Sequence, residues 1–276
     1  MDLDGVVYRA TEGVPGVGAV LTARAALGDD VVYVTNNAMH YHLDYVPRLL
    51  GHGAPVEPGR VVTSARASAL YVREHLPAVR RVLAVGAAGL ERELREAGVD
   101  VVTAAHAATR MSQEGIDGWA AAGHPDAIVV GLDPQLTYMR IAAAADCVRA
   151  GAVFVATNRD PLYPTERGFR PGAGTVVAAI ETASRAPASV TIGKPGPLML
   201  EEAATLVGGD TTRAVMIGDA FSDVAAGRAV GARTVLMLTG VTTREMADAL
   251  PEAERPTRIA EDADALARVL DELAAA

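Results

Sequence analysis

Met1-Asp2-Leu3-Asp4-Gly5-Val6-Val7-Tyr8 opens the chain, and the fold turns on how this stretch is read. Two carboxylates flank one apolar residue, and a glycine follows. On an extended backbone residues i and i+2 point the same way, so Asp2 and Asp4 aim at one small volume. Gly5 lets the chain leave that point in a conformation that other residues resist. Carboxylates held this close repel unless a cation or a shared proton relieves them. Taken alone, the stretch also reads as an acidic, solvated terminus. The residues downstream decide between the two.

Short apolar runs alternate with helical stretches along the rest of the chain. Val31-Val32-Tyr33-Val34 reads as a buried parallel strand that ends in Thr35-Asn36-Asn37. Helices are expected from Pro15 to Leu27 and from His42 to Leu50, then an extended Val61-Val62-Thr63 and a helix to about His75 capped by Ser64. Near Pro77 the pattern restarts, with strands at 82–86, 99–102, 127–131 and 152–156 and helices at 90–97 and 137–150. The polar segment from Thr109 to Pro125 holds the only tryptophan, Trp119, and receives no element. Residues 158–171 read as a long loop, and Gly172-Ala173-Gly174-Thr175 opens a helix to about Ser184. Strands at 190–193, 214–218 and 234–238 and a helix at 263–273 complete the chain. This alternation implies a parallel sheet with helices on both faces. The expected organisation is a Rossmann-like α/β core in two halves, 1–77 and 188–276, with a smaller α/β domain at 78–187 inserted between them.

The totals fit this picture. Half of the 276 residues are apolar but only 4% are aromatic, which suits helices on a sheet better than an aromatic-rich sandwich. The single cysteine, Cys147, excludes an intramolecular disulfide framework and fits a reducing cytoplasm. In its alanine-rich stretch it reads as a small buried hydrophobe. No run approaches the ~18 apolar residues of a membrane span, and no basic-then-apolar leader opens the sequence. The expected location is therefore cytoplasmic, with no membrane partner. A net charge of −9, without a lysine/arginine block, argues against nucleic acid. If the ligand is an anion, positive charge must be placed for it locally.

Four strand ends carry polar residues: Asp2/Asp4, Thr35/Asn36/Asn37, Lys194, and Asp219/Asp223. Sites in open parallel sheets gather at the carboxyl ends of strands. Asp219 and Asp223 are four apart, so a helix beginning near Asp219 stacks them on one face. Singly, each has a plain alternative: Asp219 as a helix cap, Lys194 as a surface lysine, Thr35-Asn36-Asn37 as a turn. Their recurrence at equivalent places points to one site. Converging acids need a divalent cation among them, and an all-oxygen ligand set without a His/Cys cluster favours magnesium over zinc.

The ordered motifs D-L-D-G-V-V-Y, V-T-N-N, I-G-K-P-G-P and I-G-D-x-x-x-D resemble the haloacid dehalogenase-like (HAD) hydrolase superfamily, in its branch of NagD-like and para-nitrophenyl phosphatases. The inserted T-N-R-D-P-L-Y-P-T-E-R-G-F-R-P-G-A-G-T resembles the large C2-type cap of that branch. The resemblance implies a phosphatase of small phosphomonoesters (sugar, glycerol or nucleotide phosphates). Asp2 would be the nucleophile that forms an aspartyl-phosphate. Asp4 would protonate the leaving alkoxide and then deprotonate water. It also implies Mg2+ bound through the Asp2 carboxylate, the Asp4 backbone carbonyl and Asp219, with Asp223 a further ligand or an orienter. Thr35, with nearby amides including that of Asn36, would hold phosphate oxygens, and Lys194 would neutralise nucleophile and phosphoryl group. Asn37, Asn158, Arg159, Asp160 and Tyr163, together with Asp133, are the candidates for substrate contact. The partner implied is a small phosphorylated metabolite, and a homodimer is compatible with the chain.

Two departures from the branch stand out. Three residues, Ala220-Phe221-Ser222, separate Asp219 from Asp223 where relatives commonly have four. Only Met1 precedes Asp2, so the central strand is almost absent as written, and an apolar run upstream completing it is expected. Readings from other classes are a phospho-acceptor signalling module and a phosphate-binding protein without turnover.

Overall fold

Residues 1–121, 123–165 and 168–275 are described by a computed structural model. Chain contacts divide them into two units. The first takes residues 1–35, 42–62 and those from Lys194 onward; the second takes Asn36–Tyr41 and Thr63–Gly193.

In the first unit β1 (Tyr8–Arg9) and β2 (Glu12–Gly13) make a short antiparallel ribbon directly after the opening motif. α1 (Val17–Ala26), β3 (Tyr33–Thr35), α2 (Val46–Gly51) and β4 (Val61–Thr63) follow, with β3 beside β4. The second unit carries α3 (Ser64–His75), β5 (Arg81–Val85), α4 (Ala88–Glu96), β6 (Asp100–Thr103), α5 (Ala104–Ala121), β7 (Ala127–Val130) and α6 (Tyr138–Arg149). It continues with β8 (Val153–Ala156), β9 (Leu162–Thr165), β10 (Gly168–Pro171), α7 (Ala173–Ser184) and β11 (Val190–Thr191). The first unit then resumes as α8 (Leu198–Leu206), β12 (Val215–Gly218), α9 (Phe221–Ala229), β13 (Arg233–Met237), α10 (Arg244–Asp248), β14 (Arg258–Ala260) and α11 (Ala263–Ala275).

The sheet of the second unit runs β11-β8-β7-β5-β6, parallel throughout. Its inner strands are buried along almost their whole length, which explains why they read as unbroken Val/Ile/Leu/Ala runs. Leu83, Val85, Ile128, Val130, Phe154, Val177, Ile180 and Trp119 form its core. In the first unit β12, β13 and β14 are parallel neighbours. α11 lays Ala263, Leu266, Val269, Leu270 and Leu273, a helical stripe, on the core with Leu21, Tyr33, Ile217 and Met237. Each leucine so buried contributes about 1.5–3 kcal/mol.

The opening motif forms the middle of that sheet after all, as a stub. The Met1 ammonium donates to Val32 O at 2.6 Å, Val34 N–H donates to Met1 O, and Asp2 N–H donates to Ile217 O, both at 2.8 Å. Met1-Asp2 thereby bridges β3 and β12 in the parallel pattern. The chain then folds over itself, with Val6, Val7 and Tyr8 N–H groups all directed at Leu3 O.

Several expectations give way. Ser64 does not cap its helix: Thr63 does, its hydroxyl accepting Arg66 N–H, while Ser64 Oγ donates to Asn36 O. The polar segment from Thr109 is mostly the helix α5, bent where Gly115 takes φ 71°, with Ala107, Met111 and Trp119 buried; Ala122 lies outside the described residues. The supposed loop at 158–171 contains the antiparallel hairpin β9–β10; its Glu166 and Arg167 lie outside the described residues. The strand expected at 190–193 pairs with β8 and so belongs to the sheet of the second unit.

Candidate active site

Two strand ends of the first unit and the residue at which the chain re-enters it deliver the chemistry. Asp2 leaves the central stub, Lys194 follows the second unit directly, and Asp219 and Asp223 come from the end of β12 and the first turn of α9. Lys194 Nζ lies 2.5 Å from Asp2 Oδ1 and 2.6 Å from Asp223 Oδ1, and 3.5 Å from the carbonyl of Val34 on β3. Asp219 completes a group of three carboxylates that each offer an oxygen within 4.8 Å of the others. All four side chains are buried. Asp219 and Asp223 do not stack along one helix face, because α9 begins only at Phe221. Asp219 closes the strand, and Asp223 turns back to accept Ala220 N–H at 3.0 Å.

Burial pushes the nearby Met1 amine down to about 5, so the Lys194 ammonium alone faces three buried carboxylates, leaving two negative charges when all are ionised. Burial pushes the Asp2 carboxyl up to about 8, and Asp223 and Asp219 push the same way against Lys194. Burial works against the Lys194 ammonium too, but Asp2 and Asp223 outweigh it and hold the lysine above its ordinary range. Asp219 rises to about 6 through burial and Asp223, opposed by Val241 N–H, which donates to Asp219 Oδ2 at 2.7 Å. An acid cluster short of two positive charges, built only of hard oxygens, fits a divalent cation such as magnesium.

Two glycines make room for this cluster. Gly5 has φ +78°, and a Cβ there would overlap the Asp219 carboxylate; a Cβ on Gly240 would overlap it as well. Thr239 Oγ1 donates to Gly5 O at 2.6 Å and ties the opening turn to the end of β13. Thr239, Gly240 and Val241 are missing from the sequence reading. Their signal is present: the apolar run Val235-Leu236-Met237-Leu238 closes in a hydroxyl and a glycine, as the run before Thr35 closes in a hydroxyl. A second signal is composition, since Lys194 is the only lysine among the 25 basic residues.

The remaining candidates divide. Thr35 is buried at the carboxyl end of β3. Asp4 follows Asp2 closely in the chain and bridges to Tyr8, and its carboxylate stands outside the three-carboxylate group. Within the second unit, Asn36, Asn158 and Asp160 come together: Asn36 Nδ2 donates to Asp160 Oδ2 at 3.0 Å, and Asn158 Nδ2 donates to Asn36 O at 2.7 Å. Asn37 Oδ1 accepts Met39 N–H. Arg159 turns away to Glu181 at 2.6 Å and to Thr191. Tyr163 lies on β9. Asp133 is a clamp, buried and held by Arg140 Nη1 at 2.8 Å through both oxygens.

Buried carboxylates set around one lysine, with a hydroxyl at the end of β3, suit hydrolytic chemistry, and the chain belongs to the haloacid dehalogenase-like hydrolase family. The family description "haloacid dehalogenase-like hydrolase" matches residues 1–100, and a second, HAD-hydrolase-like, matches 191–266. Among named proteins, an acid sugar phosphatase of Staphylococcus aureus is 34% identical over 246 residues, 89% of this chain and 87% of the relative. A p-nitrophenyl phosphatase from Archaeoglobus fulgidus has a similar structure, with a TM-score of 0.83 at 28% identity over 97% of both chains. A glycerol phosphate phosphatase from Mycobacterium tuberculosis, in complex with magnesium, gives 0.80 at 32% identity over 96% of this chain and 74% of its own. Among the described residues no helix is long and apolar enough to cross a membrane.

Proposed function

We propose that the protein is a magnesium-dependent phosphatase of small phosphomonoesters, of the sugar, glycerol or nucleotide phosphate class. The observation that carries this is the buried group Asp2–Lys194–Asp223–Asp219, which holds a candidate nucleophile against a lysine in a cluster still short of positive charge. The names of the relatives, all phosphatases of small esters, support the same class.

In this reading an Asp2 oxygen attacks phosphorus, the bond from phosphorus to the ester oxygen breaks, and Asp4 gives its proton to the departing alkoxide. Asp4 then takes a proton from water, whose oxygen attacks the aspartyl-phosphate. The bond from phosphorus to Asp2 breaks, releasing phosphate and restoring the carboxylate. Lys194 offsets charge on Asp2 and on the phosphoryl oxygens, and the Thr35 hydroxyl donates to one of them. Asp2 and Asp219, with the Asp4 carbonyl, would hold the cation and Asp223 would orient them; when bound, it supplies charge neutralisation at the phosphoryl group.

Phosphate release over a panel of phosphomonoesters, with magnesium or with chelator, tests the proposal. Turnover is expected only with magnesium, and Asp2→Asn is expected to lower it by more than about a thousandfold. Full activity of Asp2→Asn or of the chelated protein would refute the mechanism. Stable autophosphorylation without turnover would instead indicate a phospho-acceptor protein.

A further inference from the structure

The chain passes between the two units at several points, and two of these fall beside residues of the site. Thr35 directly precedes Asn36, the first residue of the second unit, and Lys194 directly follows Gly193, its last. A group of polar side chains within the second unit gathers around Asn36. The Asn36 carbonyl accepts from Ser64 Oγ at 2.6 Å and from Asn158 Nδ2 at 2.7 Å, so both of its lone pairs are used. The Asn36 side-chain amide donates to both oxygens of Asp160, at 3.0 and 3.3 Å. Asn158 Oδ1 in turn accepts Asp160 N–H at 3.1 Å. Gly193 closes the group: its N–H donates to Thr157 O at 2.8 Å, and a Cβ there would stand 2.6 Å from Asn36 Oδ1 and 2.8 Å from Asn158 Cβ.

A trans peptide is planar, with its C=O and N–H pointing opposite ways. Two donors on the Asn36 carbonyl therefore fix the direction of the Asn37 N–H. The Asn37 side chain extends the hold by accepting Met39 N–H at 2.9 Å. Thr35, buried at the end of β3, thus leads into a peptide whose orientation is set by side-chain bonds. The loop that supplies two of the partners is pinned in its turn. Gly174 N–H donates to Asp160 O at 2.9 Å, and a Cβ on Gly174 would stand 2.4 Å from Arg159 O. Asn158 is buried, and its donor and acceptor atoms are all directed at protein groups. That leaves it poorly placed to bond a ligand. Ser64 is wholly buried and has no access to one.

We propose, resting on the reading of the site as a phosphatase, that Ser64, Asn158 and Asp160 are positioning residues that act through Asn36. They set the Thr35-Asn36-Asn37 segment for the phosphoryl group and do not read the alcohol half of the ester. The phosphoryl group is what all phosphomonoesters share. Loosening the Asn36 peptide therefore lowers turnover of every ester by one factor, whereas losing a contact to the alcohol would weigh one ester differently from another.

The test is the steady-state kinetics of Ser64→Ala, Asn158→Ala and Asp160→Ala on a sugar phosphate, a glycerol phosphate and a nucleotide monophosphate, with magnesium. Each variant is expected to lose about tenfold or more in kcat/KM, by the same factor, within about twofold, on all three esters. Asp160→Asn keeps an acceptor for Asn36 Nδ2 and is expected to restore most of the loss. In a Thr35→Ala background the Asp160→Ala loss is expected to shrink by at least about threefold, since a purely structural role would cost the same in both. Should either buried residue fail to tolerate alanine, Asp160→Ala, at a partly exposed position, carries the test. Hydrogen exchange at the Met39 and Gly193 amides, which needs no turnover, is expected to quicken by about tenfold in Ser64→Ala and Asp160→Ala. Losses that differ among the esters by about tenfold or more, an undiminished effect in the Thr35→Ala background, or unchanged exchange would overturn the proposal. Absence of turnover in the unaltered protein would count against the phosphatase reading alone. The hold on the Thr35 segment is then decided by exchange at the two amides and by the affinity for inorganic phosphate, which each variant is expected to lower; no change in either would overturn it.

Discussion

Lys194 holds Asp2 at 2.5 Å and Asp223 at 2.6 Å, and all three side chains are buried. Removing one member of such a group leaves the others buried without compensation, at a cost of about 3–5 kcal/mol. Lys194→Met is therefore expected to lower kcat by about a hundredfold or more and to lower Tm, read by steady-state kinetics and thermal denaturation. Lys194→Arg should not restore activity, since a planar fork does not replace a point charge set between two carboxylates. Asp219 gives the site a pH signature. Its folded value, about 6, lies above the ordinary 3.8, so the folded state holds the proton more tightly. The stabilisation from that difference is fully present below the unfolded value and is lost as pH rises through about 6. A bound divalent cation reverses the balance by favouring the ionised carboxylates. The rise in Tm on adding magnesium to chelator-treated protein is therefore expected to be larger at pH 8 than at pH 5. An equal rise at both would show that Asp219 does not take part.

At the level of elements, the site is made by where strands stop. The endings at Thr35 and Asp219 were legible because a buried parallel strand is a continuous apolar run, and a polar residue closing it is conspicuous; Asp2, with only Met1 before it, was legible instead from its pairing with Asp4 and from the resemblance of the motif. The close fit around Asp219 was not, because it depends on what a missing Cβ leaves open at Gly5 and Gly240. Gly240→Ala is expected to displace the Asp219 carboxylate and raise the magnesium concentration for half-maximal activity by about tenfold or more, with the circular dichroism spectrum unchanged. A magnesium titration of activity measures it. The same contrast separates α11 from the hairpin β9–β10. α11 declares itself by spacing, whereas β10 is exposed at all four residues and has no buried face to impose a period. α5 hides for another reason: Gly115 breaks its dihedral run, and polar residues outnumber the buried Ala107, Met111 and Trp119. Asp133 shows the limit of reading residue types alone. An aspartate after a strand suggests a site, but this one is spent on Arg140.

For the whole molecule, two cores are built from opposite ends of the same physics, each a parallel sheet under helices with its own set of buried side chains. The only tryptophan, Trp119, sits in the core of the second unit with Phe154, so its emission reports on that unit. Phe154→Ala is expected to cost about 3–5 kcal/mol in the unfolding transition followed by Trp119 fluorescence in denaturant; a loss under 1 kcal/mol would mean that this core is loosely packed. The membership of β11 was not legible, since a two-residue strand joins whichever edge its backbone meets. The net charge of −9 sets a further condition. With 24 of its 25 basic residues arginine, the chain has one side-chain amine, and the sheet encloses it. Reagents that acylate lysine, and aldehydes that cross-link through it, meet no such nitrogen on the folded surface. A covalent adduct on Lys194 would record that a reagent had entered the buried carboxylate site, which makes amine labelling a report on that one site rather than a map of exposed surface.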